Sequence, residues 1–135
     1  MKISNYKSSL IILSIFAVLS VTALAEGKRS PQYGECMDAV DYGAFKNTQW
    51  ASCGEQELKL QDATLNSEYA KLRKSLSPEQ RELLIKGQKS WLKYREDWCR
   101  FDEQGPSAPG GIAGYVFCLL EITDKQIDLI KDLQF

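Results

Sequence analysis

Residues 47–101 read NTQWASCGEQELKLQDATLNSEYAKLRKSLSPEQRELLIKGQKSWLKYREDWCRF. On the first half, Leu58, Leu65, Tyr69, Leu72 and Leu76 recur at steps of seven, four, three and four. That stepping draws one apolar stripe on a helix of 3.6 residues per turn. On the second half, Leu84, Gly87, Trp91, Tyr94 and Trp98 keep the same rhythm. Between them, Ser77 is a good N-cap, Pro78 suits the first helical position, and Gln80 completes a capping box. Pro78 also disfavours helical geometry at Ser77, so the first helix should stop there. The segment is expected to be a long antiparallel helical hairpin folded at Ser77-Pro78.

With the arms antiparallel about Ser77, opposed positions sum to about 154, within about one helical turn. Asn66 then faces Gln88, Asp62 comes within reach of Arg95, and Cys53 lies near Cys99. Asp62, Asn66, Gln88 and Arg95 form a polar seam beside the apolar one. Each costs about 1–3 kcal/mol if buried unpaired, so the four are expected to bond to one another or to backbone.

Outward from the hairpin, residues 1–25 read as an export signal. Lys2 and Lys7 supply a positive start, Leu10 to Leu19 an apolar run, and Ala23-Leu24-Ala25 a cleavage site. The run is short for a membrane span. No stable membrane anchor is therefore expected after cleavage, and the product is expected to be periplasmic or secreted. The remaining residues 26–135 suit one domain with a modest core. They hold 15 basic and 18 acidic residues, the leader having taken two lysines of 17, for a net charge of −3. A mildly acidic, mixed-charge chain lacks the basic stripe that nucleic acid requires.

All four cysteines, Cys36, Cys53, Cys99 and Cys118, lie beyond the leader. An even count in a small exported domain reads as two disulfides. The local pairing, Cys36–Cys53 with Cys99–Cys118, closes two short loops; the hairpin geometry equally permits Cys53–Cys99 with Cys36–Cys118. A metal site is not expected, because there is no C-x-x-C and no histidine. Gln32 to Val40 reads as a short helix, and Asp41 to Asn47 as a connector, with Asn47 or Thr48 capping the long helix. Phe101 closes the second arm, because Gly105-Pro106-Ser107-Ala108-Pro109-Gly110-Gly111 cannot continue it. Tyr115 to Leu133 is the last helix. Its inner face is expected to be Tyr115, Leu119, Ile122, Gln126, Leu129 or Ile130, and Leu133. The fold class is all-α: a small bundle of about four helices built on the hairpin.

Without histidine, Ser-His-Asp and Cys-His catalysis are excluded. Glu96, Asp97, Asp102 and Glu103 on one arm, with Glu55, Glu57 and Asp62 on the other, could in principle hydrolyse a glycoside across a cleft. A slim bundle seldom offers one, and such charges read as a solvated face. Trp91, Tyr94 and Trp98 are read as core at their helical spacing, and Trp50 as exposed. The glycine-rich loop matches no phosphate-binding fingerprint. It reads either as a protruding contact loop or as a tethered connector. No cofactor is implied. The residues alone yield an exported helical domain.

A sharper expectation comes from the combination Cys53, Asp62-x-x-Leu65-Asn66-x-x-Tyr69-x-x-Leu72, Gln88-x-x-Trp91-x-x-Tyr94-Arg95-x-x-x-Cys99 and Cys118-Leu119 with Thr123. This pattern, from Cys36 to Leu133, resembles the LprI-type lysozyme-inhibitor family. Gln126 stands where that family often has arginine. The resemblance implies an exported, all-helical, disulfide-bonded protein with Cys36–Cys53 and Cys99–Cys118 paired. It implies a non-enzymatic inhibitor of lysozyme or another peptidoglycan hydrolase in the bacterial envelope. The alternative is an immunity or adaptor module for another periplasmic protein. Carried over, Asp62, Asn66, Gln88, Trp91 and Arg95 read as scaffold. Animal-type lysozymes are basic, so a mildly acidic partner gains in encounter rate. By exposure alone, Asp102, Glu103 and the loop from Gly105 to Gly110 and Gly111 are the candidate partner contacts.

Overall fold

The computed structural model of the chain describes residues 29–44, 47–105 and 111–134. The expected leader and Gly110 lie outside these residues. The described chain forms α1 (Pro31–Asp38), a 3-10 turn (Tyr42–Ala44), α2 (Asn47–Ser75), α3 (Pro78–Glu103) and α4 (Ile112–Asp132). No strand occurs among the described residues.

The turn between α2 and α3 is made as its residues dictate. The Gln80 amide N–H donates to Ser77 Oγ at 3.3 Å, and the Ser77 N–H donates to Gln80 Oε1 at 2.9 Å. These two bonds satisfy donors that the start of a helix leaves without partners. Ser30 caps α1 in the same way, accepting from the Tyr33 N–H at 3.2 Å ahead of Pro31. α4 begins three residues earlier than Tyr115, after Gly111 at φ +45, a left-handed conformation that glycine adopts at least cost.

The two arms of the hairpin pack mainly through a third helix. Close backbone approach joins α2 to α4, α3 to α4 and α1 to α2. Two of the facing positions between α2 and α3, Asp62 and Arg95, are charged, whereas α4 offers a continuous apolar surface. Leu65 and Leu72 of α2 are buried with Ile127 and Ile130 of α4. Tyr69, Leu76, Leu84 and Trp91 pack around that cluster. Each such aliphatic side chain contributes about 1.5–3 kcal/mol on burial. Toward the other end, Gly54 of α2 admits Val116 and Leu120 of α4 closely, and Ala51 is buried one turn away.

Two apolar faces sit differently from the sequence reading. On α4 the fully buried set is Ala113, Val116, Leu119, Leu120, Thr123, Ile127 and Ile130. Ile122 is only partly buried and Leu129 and Leu133 are exposed. Of the expected face, Leu119 and Ile130 are buried and Tyr115 and Gln126 partly so; the buried set extends by one residue, or about 100°, to Val116, Leu120, Thr123 and Ile127, because α4 must meet α2 and α3 at once. On α3 the inward line is Leu84, Gln88, Trp91, Arg95 and Cys99, of which Cys99 is fully buried. Tyr94 and Trp98, expected in the core, lie to one side of it and are 51% and 48% exposed. Trp50 is also corrected: it is half-buried against Tyr42, with ring centroids 5.7 Å apart.

Both disulfides are local, Cys36–Cys53 and Cys99–Cys118, and no cysteine is free. The first ties α1 to α2. The second ties the end of α3 to the start of α4.

Candidate partner-binding surface

Tyr94, Trp98 and Phe101 form a ladder along the exposed side of α3. The Tyr94 and Trp98 rings stack at 6.1 Å with an interplanar angle of 28°, and Trp98 meets Phe101 at 5.7 Å and 49°. Phe101 is 66% exposed. Steps of four and three residues place the three rings on one side of the helix. Beside the ladder, a groove of about 660 Å³ runs between α3 and α4. Trp91, Tyr94, Trp98 and Asp102 line it from α3, and Phe117, Glu121, Ile122 and Lys125 from α4. Glu121 and Lys125 pair across one turn at 2.7 Å. Cys118 also lines the groove, so the disulfide fixes the separation of its walls at one end.

Behind the ladder, a polar contact locks the same two helices. The Tyr115 hydroxyl donates to Glu96 Oε2 at 2.6 Å, and Arg100 Nε donates to Glu96 Oε1 at 2.7 Å. The Arg100 guanidinium sits 5.0 Å from the Tyr115 ring centroid. Burial, and then the hydrogen bond to Glu96, push the Tyr115 hydroxyl up to about 12. The bond from Tyr115, helped by Arg100, holds Glu96 below the usual carboxylate range.

The expected contact residues are partly gathered here. Asp102 is exposed on the groove, and no hydrogen bond or ion pair holds its carboxylate among the described residues. Glu103 is half-buried. Gly105 ends α3, its N–H donating to the Asp102 carbonyl at 3.0 Å, and Gly111 opens α4. Of the polar seam, Asp62 and Arg95 meet at 2.8 Å, and Arg95 also donates to the Thr123 hydroxyl at 2.9 Å. Gln88 does not meet Asn66: it accepts from Gln126 of α4 at 3.1 Å, and Asn66 is exposed. The interposed α4 takes the partner that a two-helix register had assigned to Asn66.

Asp97 and Glu57 are held by separate partners. Asp97 pairs with Lys93 at 2.5 Å, and Glu57 is buried under Ser30, which donates from its hydroxyl at 2.5 Å and its N–H at 3.0 Å. Gln61, also buried, donates to Asp124, whose other oxygen pairs with Arg29 at 2.6 Å. Among the described residues, no three histidine, cysteine, aspartate or glutamate side chains are grouped to hold a metal ion. The Ser30–Glu57 and Gln61–Asp124 contacts escaped the sequence reading. Their signal was present: Glu57 and Gln61 continue the Leu65–Leu72 stripe at helical spacing, as polar residues in apolar register. The ladder also had a signal. With Cys99 turned inward by a disulfide, Arg95 and Gln88 follow it in, and Trp98 and Tyr94 turn aside.

The site is thus an exposed aromatic edge beside a groove, on a helical bundle held by two disulfides. The model of the family described as lysozyme inhibitor LprI matches residues 36–129, and the chain belongs to that family. No curated protein and no solved structure matches the chain.

Proposed function

We propose that the chain is an exported, non-enzymatic inhibitor of a lysozyme or a related peptidoglycan hydrolase. The observation that carries this reading is the family match over residues 36–129, a span that holds both disulfides and most of the helical bundle. Two further features support it. All four cysteines are paired, as suits an oxidising compartment outside the cytoplasm. Residues 26–135 carry a net charge of −3, which favours encounter with a basic enzyme.

The test is a turbidimetric lysis assay at near-physiological salt. The domain of residues 26–135 is added in micromolar excess over an animal-type lysozyme, and in parallel over bacterial peptidoglycan hydrolases. A dose-dependent fall in the rate of clearing is expected for at least one of them. Unchanged clearing throughout overturns the reading. A stoichiometric envelope partner that is not a hydrolase would instead make the chain an immunity or adaptor module.

A further inference from the structure

We propose that the α3–α4 groove, with the Tyr94–Trp98–Phe101 ladder at its edge, is the face that engages the hydrolase. It receives a lysine or arginine side chain of that basic partner, with the Trp98 ring against the cation and Asp102 as its counter-charge. The proposal rests on the inhibitor reading and adds the surface and the kind of contact.

Three contacting aromatic rings, each about half exposed or more, stand together on one helix. Large exposed aromatics are enriched among residues that dominate the energy of interfaces. Asp102 lies four residues beyond Trp98, so both share one side of α3, and both line the groove. Its carboxylate is exposed, and no hydrogen bond or ion pair holds it among the described residues. An aromatic face beside such a carboxylate is the chemical complement of a cationic side chain. The same chain builds this contact internally: Arg95 lies 4.9 Å from the Trp91 ring centroid and Arg100 lies 5.0 Å from that of Tyr115. Charge selects the occupant: residues 26–135 have a net charge of −3, and animal-type lysozymes are basic. The Cys99–Cys118 bridge fixes one end of the groove before binding, which reduces the ordering cost of association.

The experiment pairs isothermal titration of an animal-type lysozyme with the lysis assay. It uses the wild-type domain and the variants Trp98→Ala, Asp102→Lys and Leu83→Ala. Leu83 is 69% exposed in the second turn of α3 and serves as the control. Because all three positions are exposed, the variants are expected to keep the wild-type helical spectrum and melting curve. Trp98→Ala and Asp102→Lys should each weaken binding at least about tenfold, as for a hot-spot residue, while Leu83→Ala stays at wild-type affinity. Asp102→Lys should also flatten the dependence of affinity on salt. If the wild type inhibits and both groove variants stay within about twofold of it, this face is overturned while the inhibitor reading stands. If the wild type neither binds the animal-type lysozyme nor slows clearing by any of the hydrolases, the inhibitor reading falls and takes this face with it; if it inhibits only a bacterial hydrolase, this face is overturned for the lysozyme while the inhibitor reading stands. Should Trp98→Ala abolish binding of chito-oligosaccharide fragments yet leave lysozyme affinity intact, the ladder is a glycan platform and the proposal is overturned.

Discussion

Arg95 of α3 reaches Asp62 of α2 at 2.8 Å, and the two ends of this ion pair live in different surroundings. The guanidinium side chain is 15% exposed and the carboxylate side chain 41%. The same Arg95 nitrogen donates at 2.9 Å to Thr123, which is fully buried and itself donates to the Leu119 carbonyl at 2.7 Å. Arg95 therefore bonds to both helices opposite it, and its plane rests on Trp91. Arg95→Ala should cost about 2–3 kcal/mol, because it removes the donor to Thr123 and the cation over Trp91 as well as the ion pair. Asp62→Ala should cost less than about 1 kcal/mol, because a half-exposed partner is screened by water. Urea unfolding of both variants checks the asymmetry, and equal losses would refute it.

Gly54 and Gly87 both occupy helix interiors, yet their surroundings differ. A Cβ at Gly54 would run into Val116 Cγ1 of α4, whereas nothing lies within 4 Å of one at Gly87. Gly54→Ala should destabilise by about 1–3 kcal/mol through overpacking, more than its gain in helix propensity. Val116→Ala in the same chain should restore part of the loss, a coupling that a double-mutant cycle measures. Gly87→Ala should stabilise by about 0.5–1 kcal/mol.

The Tyr115–Glu96 bond gives the bundle a pH signature. Glu96 is held below its ordinary value of 4.5, so its contribution is complete above 4.5 and is lost as pH falls through the lower folded value. Tyr115 is raised from 10.0 to about 12, so its contribution is complete below 10.0 and is lost as pH rises through about 12. The stability difference between wild type and Tyr115→Phe should be widest between these limits and shrink at both ends. Unfolding midpoints collected from pH 3 to 11 test this; a difference independent of pH would show that the bond contributes nothing.

α1 buries none of its residues fully and is held by ties. These are Cys36–Cys53, the Ser30–Glu57 bonds and the Arg29–Asp124 ion pair. Replacing both Cys36 and Cys53 by serine should cost at most about 3 kcal/mol, the value for closing a short loop. Amide exchange in residues 31–38 should rise far more than in α2 to α4. Equal loss of protection in all four helices would make α1 an integral part of the core.

The hairpin was legible because its signals are local. Apolar spacing from Leu65 to Leu76 and from Leu84 to Trp91 defines helices whatever surrounds them, and Ser77, Pro78 and Gln80 make a cap from four consecutive residues. The all-α class, the number of helices and the presence of disulfides followed from that grammar and the cysteine count. Which side of each helix faces inward was decided only by packing. A helix touching one neighbour can be read from its apolar stripe, but α4 touches two, and its buried set extends beyond the expected Leu119 and Ile130 to Val116, Leu120, Thr123 and Ile127. Packing set Gln126 against Gln88 and Thr123 against Arg95, and left Tyr94 and Trp98 outside. Periodicity gives the spacing of a stripe and leaves its azimuth open; the third helix fixes the azimuth, and with it the surface left for a partner.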